Sequence, residues 1–146
     1  MLAVVLACGP GDSNGPTLVP NLNGSWLVTA DLSVSLDGQW MCTIDQTIFD
    51  LVQTSDTFTG TAQGGGANCV STSADSSSES LDGGRIFNGV IDPVGNLEFN
   101  FRTIDNLHQG VISADRESIT GMLSWTFVLP PSIAVFFIGT WSAQRI

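Results

Sequence analysis

The residues NLEFNFRT, at positions 96–103, alternate between polar and apolar side chains until the last position. Leu97, Phe99 and Phe101 fall on one face of an extended chain, and the polar residues between them fall on the other. The preceding stretch, DPVGN at 92–96, has the proline, glycine and asparagine typical of a turn between antiparallel strands. These residues therefore predict a strand that enters from a turn and has one buried face.

The same alternation recurs in short runs from residue 24 onward, and no stretch sustains the 3.6-residue period of a helix. The pattern predicts an all-β domain, and we expect a single eight-stranded antiparallel up-and-down barrel, with a β-sandwich as the alternative. The predicted strands cover about 24–36, 39–53, 57–63, 84–92, 96–104, 107–114, 117–128 and 133–145.

An apolar residue, a spacer and a glycine recur at one spacing in several predicted strands. The instances are Phe58-Thr59-Gly60, Phe87-Asn88-Gly89, Ile119-Thr120-Gly121 and Phe137-Ile138-Gly139. Glycine inside a strand costs stability unless the chain bends there or another group approaches closely. The recurrence predicts bends that coil the sheet into a closed barrel, which would leave no open strand edges.

The segment GGGANCVSTSADSSSESLDGG, at 64–84, is rich in glycine and serine. We expect a long solvated loop here, because so polar a segment has little to contribute to a core. Cys69 lies in this loop and Cys42 in the second predicted strand, and we predict a disulfide between them, worth roughly 3.5 kcal/mol. Metal ligation or a reactive thiol is the alternative, but the two cysteines lack C-x-x-C spacing.

The N-terminal residues 1–8 are interpreted as the remnant of a signal peptide. They end in Val5-Leu6-Ala7-Cys8-Gly9, which resembles the lipobox of bacterial lipoproteins, with Cys8 as the lipidated residue. A short apolar tail with a free cysteine is the alternative, since the stretch lacks the basic residues of a secretory signal. Residues 9–23 would then be a flexible tether, and 24–146 the barrel domain. We therefore expect a membrane-anchored extracytoplasmic protein, in the periplasm, at the outer membrane or at the cell surface.

The charge balance excludes one class of partner. Fourteen acidic residues face four basic ones, which gives a net charge of −10, and a protein without a basic face cannot displace the counterions of nucleic acid. The single histidine, His108, has no nucleophile motif beside it, so we expect neither an enzyme nor a cofactor or metal site.

The first and last predicted strands carry a family resemblance. Gly24-Ser25-Trp26 opens the first predicted strand, and Arg145 lies near the end of the last. These residues resemble the end motifs of the calycin superfamily, which includes lipocalins, fatty-acid-binding proteins and avidins. The resemblance implies that Arg145 packs over the Trp26 ring and closes one end of the barrel. The lipocalin T-D-Y motif is missing, and the chain has no tyrosine, so the resemblance assigns neither an individual family nor a ligand.

Aromatic side chains are predicted to line the interior of this barrel. Phe99, Phe101 and Trp125 would contact a small hydrophobic ligand, and His108 would offer it a polar group. An eight-stranded barrel is either filled by its own side chains or wide enough for one small ligand. The sequence leaves both interpretations open.

The segment FVLPPSIAVFFI, at 127–138, has one polar residue in twelve, whereas a half-exposed hairpin should alternate. We predict a partner contact through its apolar side chains, namely Leu129, Val135, Phe136 and Ile138. The alternatives are cover by the N-terminal tail, contact with lipid, or packing beneath the 64–84 loop.

Two functions follow from these features. The first is a lipid-anchored carrier of a small hydrophobic molecule, which would stabilise its ligand by burying apolar area inside the barrel. The second is a non-enzymatic accessory subunit that docks on a membrane-protein assembly through the 127–138 hairpin.

Overall fold

The structure is a computed structural model that describes residues 18–34, 40–129 and 132–146. These residues form ten β-strands, and none of them belongs to a helix, so no helix able to cross a membrane is found among them. The strands are β1 (Gly24–Val34), β2 (Trp40–Thr54), β3 (Thr57–Gln63), β4 (Gly66–Ser71), β5 (Ser76–Ser80), β6 (Arg85–Ile91), β7 (Asn96–Phe101), β8 (Thr103–Ile112), β9 (Ser118–Leu129) and β10 (Ile133–Arg145).

Eight of the strands form a closed antiparallel barrel. The order of hydrogen-bonded neighbours is β1, β10, β9, β8, β7, β6, β3 and β2, and β2 pairs again with β1. This closure confirms the predicted up-and-down barrel and makes the alternative, a sandwich of two sheets, wrong. We call the end where β1 begins and β10 ends the base, and the end where β2 begins and β9 ends the rim.

The predicted 64–84 loop is wrong, because most of this segment is a β-hairpin. Strand β2 is long enough to take two partners on one flank, so its residues 48–54 pair with β3 and its residues 40–45 pair with β4. Gly64 and Gly65, both with positive φ (61° and 69°), make the turn between those two partners. Strand β5 then pairs with β4 and lies outside the barrel.

The predicted disulfide is present, and it joins two strands of the sheet. Cys42 of β2 and Cys69 of β4 are directly opposite each other and are bonded, with their Cα atoms 4.0 Å apart. Both cysteines are buried near the rim. The bond therefore fixes the β4–β5 hairpin to the barrel wall.

Strand β7 ends earlier than the predicted strand at 96–104. Arg102 has a positive φ of 64°, so the chain turns there, and β8 begins at Thr103. Leu97, Phe99 and Phe101 are buried as predicted, but Asn100 is buried too. Its side chain accepts a hydrogen bond from Asn88 Nδ2 (3.0 Å) and donates one to the Ile104 carbonyl (2.9 Å). These bonds compensate for burying the amide.

The glycine spacing marks places where strands come close. The pairing register shifts near Gly60, between β3 and β6, and near Gly89, between β6 and β7. A β-carbon on Gly89 would lie 2.4 Å from the Phe58 carbonyl oxygen, and one on Gly121 would lie 1.9 Å from the Gln109 carbonyl oxygen. Neither position has room for a larger residue, as the predicted role of these glycines requires.

Candidate functional site

The contact between Arg145 and Trp26, which the calycin resemblance implies, is present at the base. The Arg145 guanidinium carbon lies 4.3 Å from the centre of the buried Trp26 ring. The same guanidinium donates hydrogen bonds to the carbonyls of Asn21 (2.7 Å), Asn23 (2.9 Å) and Arg116 (3.1 Å). Since an arginine over an indole gains from cation–π attraction as well, Arg145 ties both ends of the described domain to the β8–β9 turn.

Residues 18–23, which the sequence places in the tether, run along the base. Leu22 is fully buried, and its carbonyl accepts a hydrogen bond from Trp26 Nε1 (2.9 Å). Gln53 holds the same segment, because its side chain accepts from the Leu22 N–H (2.6 Å) and donates to the Pro20 carbonyl (3.1 Å). The predicted lipidation site, Cys8, and the rest of the tether lie outside the described residues.

The four predicted ligand-binding residues come together in the interior. His108 stacks on Phe99, its cross-strand partner, with ring centres 4.7 Å apart. Phe101 and Trp125 meet edge to face at 5.3 Å, and each lies about 6 Å from the His108 ring. Their burial follows from strand parity, which places alternate residues of β7, β8 and β9 inside.

Three further aromatic rings complete this cluster and fill the middle of the barrel, and one of them, Phe58 of β3, lies 5.7 Å from Phe99. Phe49 of β2 lies 5.1 Å from Phe101, and Trp141 of β10 lies 5.4 Å from His108. The void between this cluster and the base has a volume of only about 10 Å³. A void of that size barely admits one water molecule, so the aromatic side chains occupy the space that a ligand would take.

His108 is an unusual member of this cluster, because it is buried and polar. Burial lowers its pKa to about 3, so the ring is neutral at physiological pH. Among the described residues, no hydrogen-bond partner reaches its Nδ1 atom. A buried polar atom without a hydrogen-bond partner destabilises the folded state, and here that atom lies in the centre of the barrel.

The outer face of the rim carries a group of exposed apolar side chains, which we call the apolar band. Phe136 is 57% exposed and Ile138 54% exposed. The register runs from Ile138 to Ser33, then to Met41, then to Val70, so Ser33 lies between the exposed apolar side chains of β10 and those of β2 and β4. The members of the apolar band are Met41, Val70, Val128, Phe136 and Ile138.

The predicted partner-contact residues divide between the two faces of β10. Phe136 and Ile138 point outward and are exposed. The alternative interpretation, in which the 64–84 segment covers them, is therefore wrong. Val135 is half-buried and packs against the core, so it does not belong to the outer surface. The side chain of Leu129 lies outside the described part of the structure.

A cavity of about 340 Å³ opens at the rim between β5, β8 and β9, and we call it the rim slot. It is lined by Ala67, Cys69, Ser77, Ser78, Glu79, Arg102, Thr103, Asn106, Trp125, Thr126 and Val128. Arg102 crosses one side, where it pairs with Glu79 (2.6 Å) and donates to the Ser80 carbonyl (3.3 Å). This site is not predicted by the sequence, because five of its eleven lining residues lie in the 64–84 segment, which the sequence pattern predicts to be a solvated loop.

A larger depression, of about 860 Å³, lies on the outer wall nearer the base. Exposed side chains of Val90, Val111 and Met122 line it together with carboxylates such as Asp56 and Asp92. Within the described ranges, no three histidine, cysteine or acidic side chains come close enough to hold a metal ion.

Comparison with known proteins adds no assignment to this geometry. The sequence matches no protein-family model and no curated protein. We therefore infer a function from the filled barrel, the apolar band and the rim slot.

Proposed function

We propose that this chain is an extracytoplasmic, non-enzymatic barrel protein that docks on a protein partner through its apolar band. The exposure of Phe136 and Ile138 on the outer face of β10 is the observation that carries the proposal. A lone exposed apolar residue is ordinary, but several large ones on one outer face of a barrel are typical of a contact surface.

Burial of these side chains at an interface would stabilise the complex between the barrel and its partner. Phe136 and Ile138 lie on the same outward face two residues apart, and Met41 and Val70 are directly paired on the neighbouring strands. Removing such side chains from water gains about 25 cal/mol per Å² of apolar area. Phenylalanine and methionine are enriched at the centres of protein interfaces, and Phe136 and Met41 are the members of the apolar band of these types.

The position of the band supports a protein partner over a lipid surface. The described chain begins at the base, where Leu22 and Trp26 are held, whereas the band encircles part of the rim. A lipid anchor at Cys8 would hold the base nearer the membrane. The net charge of −10 also disfavours close approach to anionic lipid.

The calycin relationship is part of the same proposal. It is supported by the closed eight-stranded barrel and by the Arg145 guanidinium over Trp26. The void between the aromatic cluster and the base is only about 10 Å³, so a barrel filled in this way is expected to act through its outer surface, its rim and its loops.

A photo-reactive amino acid at position 136 tests the docking. We expect a discrete cross-linked product in native membranes, and we expect Phe136→Asp or Ile138→Asp to abolish co-purification of the same partner. Thr140→Asp is the matched control, because Thr140 is exposed on the same face of β10. Equal recovery of the partner by all variants, or no product at position 136, would refute the proposal.

A second candidate, binding of a small hydrophobic ligand by Phe99, Phe101, Trp125 and His108, is favoured by the unpartnered Nδ1 atom of His108. A ligand with a hydrogen-bond donor would satisfy this atom, provided that the aromatic cluster opens. Titration with fluorescent fatty acids and retinoids tests it through saturable tryptophan quenching. We expect Trp125→Phe to reduce that quenching; a linear, unsaturable response would exclude the carrier function.

A further inference from the structure

We propose that the rim slot binds an extended, basic peptide segment as an added β-strand between β5 and β9. This site shares Val128 with the apolar band but is otherwise lined by other residues, and its occupant is recognised mainly through its main chain. The proposal rests on two strand edges that line the same cavity, on the side chains that already bond to those edges, and on the charge around them.

The first edge is the outer side of β5. This strand is the last in the sheet and pairs only with β4 among the described strands. Ser71 N–H donates to the Asp75 carbonyl (2.9 Å) and Leu81 N–H to the Gly65 carbonyl (3.4 Å). In an antiparallel ladder, hydrogen-bonded pairs alternate with non-bonded pairs, so the main-chain groups of Ser76, Ser78 and Ser80 point away from β4.

A contact of Arg102 supports this outward orientation of the main-chain groups on β5. Its Nη1 donates to the Ser80 carbonyl from outside the sheet. Arg102 therefore already supplies one bond of the kind that a neighbouring strand would supply. The main-chain groups of Ser78, one step along the same edge, have no such partner in the described part of the chain.

The second edge is the rim end of β9. The ladder between β8 and β9 runs from the Ile112–Ile119 pair to the Leu107–Ser124 pair and ends there. Beyond it, the Thr126 N–H donates to the Asn106 side-chain oxygen (2.8 Å) instead of to a main-chain carbonyl. The same edge continues to Val128, which lines the slot.

The slot thus lies between the outer edge of β5, which is the last strand of the sheet, and the rim end of β9, beyond its last pair with β8. Ser77, Ser78 and Glu79 line it from β5, and Thr126 and Val128 line it from β9. Unpaired N–H and C=O groups of strand edges are the usual template for an added strand. Because the outer edge of β5 offers such groups at Ser78, whereas the Thr126 N–H of β9 is already bonded to Asn106, an extended peptide that pairs with β5 is the occupant that satisfies these polar groups.

The charge around the slot selects a basic peptide. Asp75 and Asp82 flank β5, and Glu79 lines the slot itself, while Arg102 is already paired with Glu79. The domain as a whole carries few basic residues to offset its acidic ones. Lysine or arginine side chains of an incoming strand would therefore be attracted, and an acidic strand would be repelled.

A displayed library of random hexapeptides, selected on the full chain with its disulfide intact, tests this inference. We expect enriched peptides to be rich in β-branched residues and in lysine or arginine. The selected peptide should lose about tenfold in affinity when amides on one edge are N-methylated, because each methyl group removes a donor. A selected peptide that keeps its affinity after N-methylation, or a selection without enrichment, would overturn strand addition.

Variants of Ser78 locate the site. Ser78→Pro removes the outward N–H and should weaken the selected peptide by at least about tenfold, whereas Ser78→Ala keeps that N–H and should bind as the natural chain does. Near-UV circular dichroism shows whether Ser78→Pro is folded. If it is not folded, the affinity of N-methylated peptides for the natural chain tests whether the peptide binds as an added strand. Equal binding by a folded Ser78→Pro would place the peptide elsewhere.

Phe136→Asp separates this proposal from docking through the apolar band. We expect the variant to bind the selected peptide unchanged, because Phe136 does not line the slot. Loss of peptide binding in Phe136→Asp would show that the peptide contacts the band, and it would overturn the assignment to the slot.

Discussion

Two single residues, one in the interior and one at the base, contribute to the free energy of unfolding in opposite directions, and each contribution can be measured separately. His108 is neutral and buried among aromatic rings, whereas Arg145 is charged and bonded to three carbonyls at the base. The first residue makes stability depend on pH. The second makes stability depend on the geometry of one guanidinium group.

We predict that His108 destabilises the protein in mild acid. Its pKa is about 3 in the folded protein and near 6.5 in the unfolded chain, so the unfolded chain binds more protons between these values. The free energy of unfolding should therefore fall by up to about 1.4 kcal/mol per pH unit as the pH drops below 6.5. Urea unfolding at pH 5.0 to 7.5 measures this slope.

His108→Phe is the matched variant for that measurement, because it preserves an aromatic ring and cannot be protonated. The exposed carboxyls with lowered pKa values, Asp92 and Asp115, owe the shift to hydrogen bonds from Asn96 and Ser113, and they lose their contribution only below the usual range for aspartate. The window above pH 5 therefore reports on His108. An identical slope in the variant would contradict the assignment.

We predict that Arg145→Lys lowers the free energy of unfolding by about 1 to 2 kcal/mol. Lysine keeps the charge, but it cannot stack flat on Trp26 while donating to three carbonyls. Thermal unfolding measures the loss. Arg85→Lys is the control, since Arg85 is exposed, and equal destabilisation by both changes would argue against the specific role of Arg145.

At the scale of strands, the structure shows what local pattern can predict. The interior positions of β7 and β9 follow from alternation, so Phe99, Phe101 and Trp125 were correctly placed inside. The β4–β5 hairpin could not be predicted, because serine and glycine favour strands weakly and this hairpin depends on long-range pairing with β2. The rim slot was missed for the same reason, since it exists only where distant strands end.

We predict that Gly121→Ala destabilises the protein by about 1 to 3 kcal/mol. The added β-carbon would lie within bonding distance of the Gln109 carbonyl oxygen, so β8 and β9 would have to separate. Chemical denaturation measures the loss, with the exposed neighbour Thr120→Ala as the control. A variant as stable as the natural chain would show that the two strands can move apart freely.

We predict that the double variant Cys42→Ala/Cys69→Ala loses roughly 3.5 kcal/mol of stability but keeps the barrel. The bond closes a loop between positions 27 residues apart, and the loss follows from the chain entropy that it removes. The ladder between β2 and β4 remains. Amide hydrogen exchange should therefore speed up most in β4 and β5; uniform acceleration across all strands would contradict this account.

At the scale of the whole molecule, a filled barrel with a sealed base leaves the rim as the place for function. The aromatic cluster and the Trp26–Arg145 contact close the interior from both directions. Closure itself could be predicted from the strand count and the glycine spacing. The filled interior could not, because the sequence does not reveal whether inward-facing rings meet each other or leave a gap between them.

The pairing of β1 with β10 also bears on how the chain could be rearranged. Ile146 N–H donates to the Ser25 carbonyl, and Arg145 reaches Asn21, so the start and finish of the folded domain are adjacent. A short glycine-rich linker could join them, and the polypeptide could be reopened at the exposed Asp82–Gly83 turn. Such a circular permutant would retain every strand pair of the barrel.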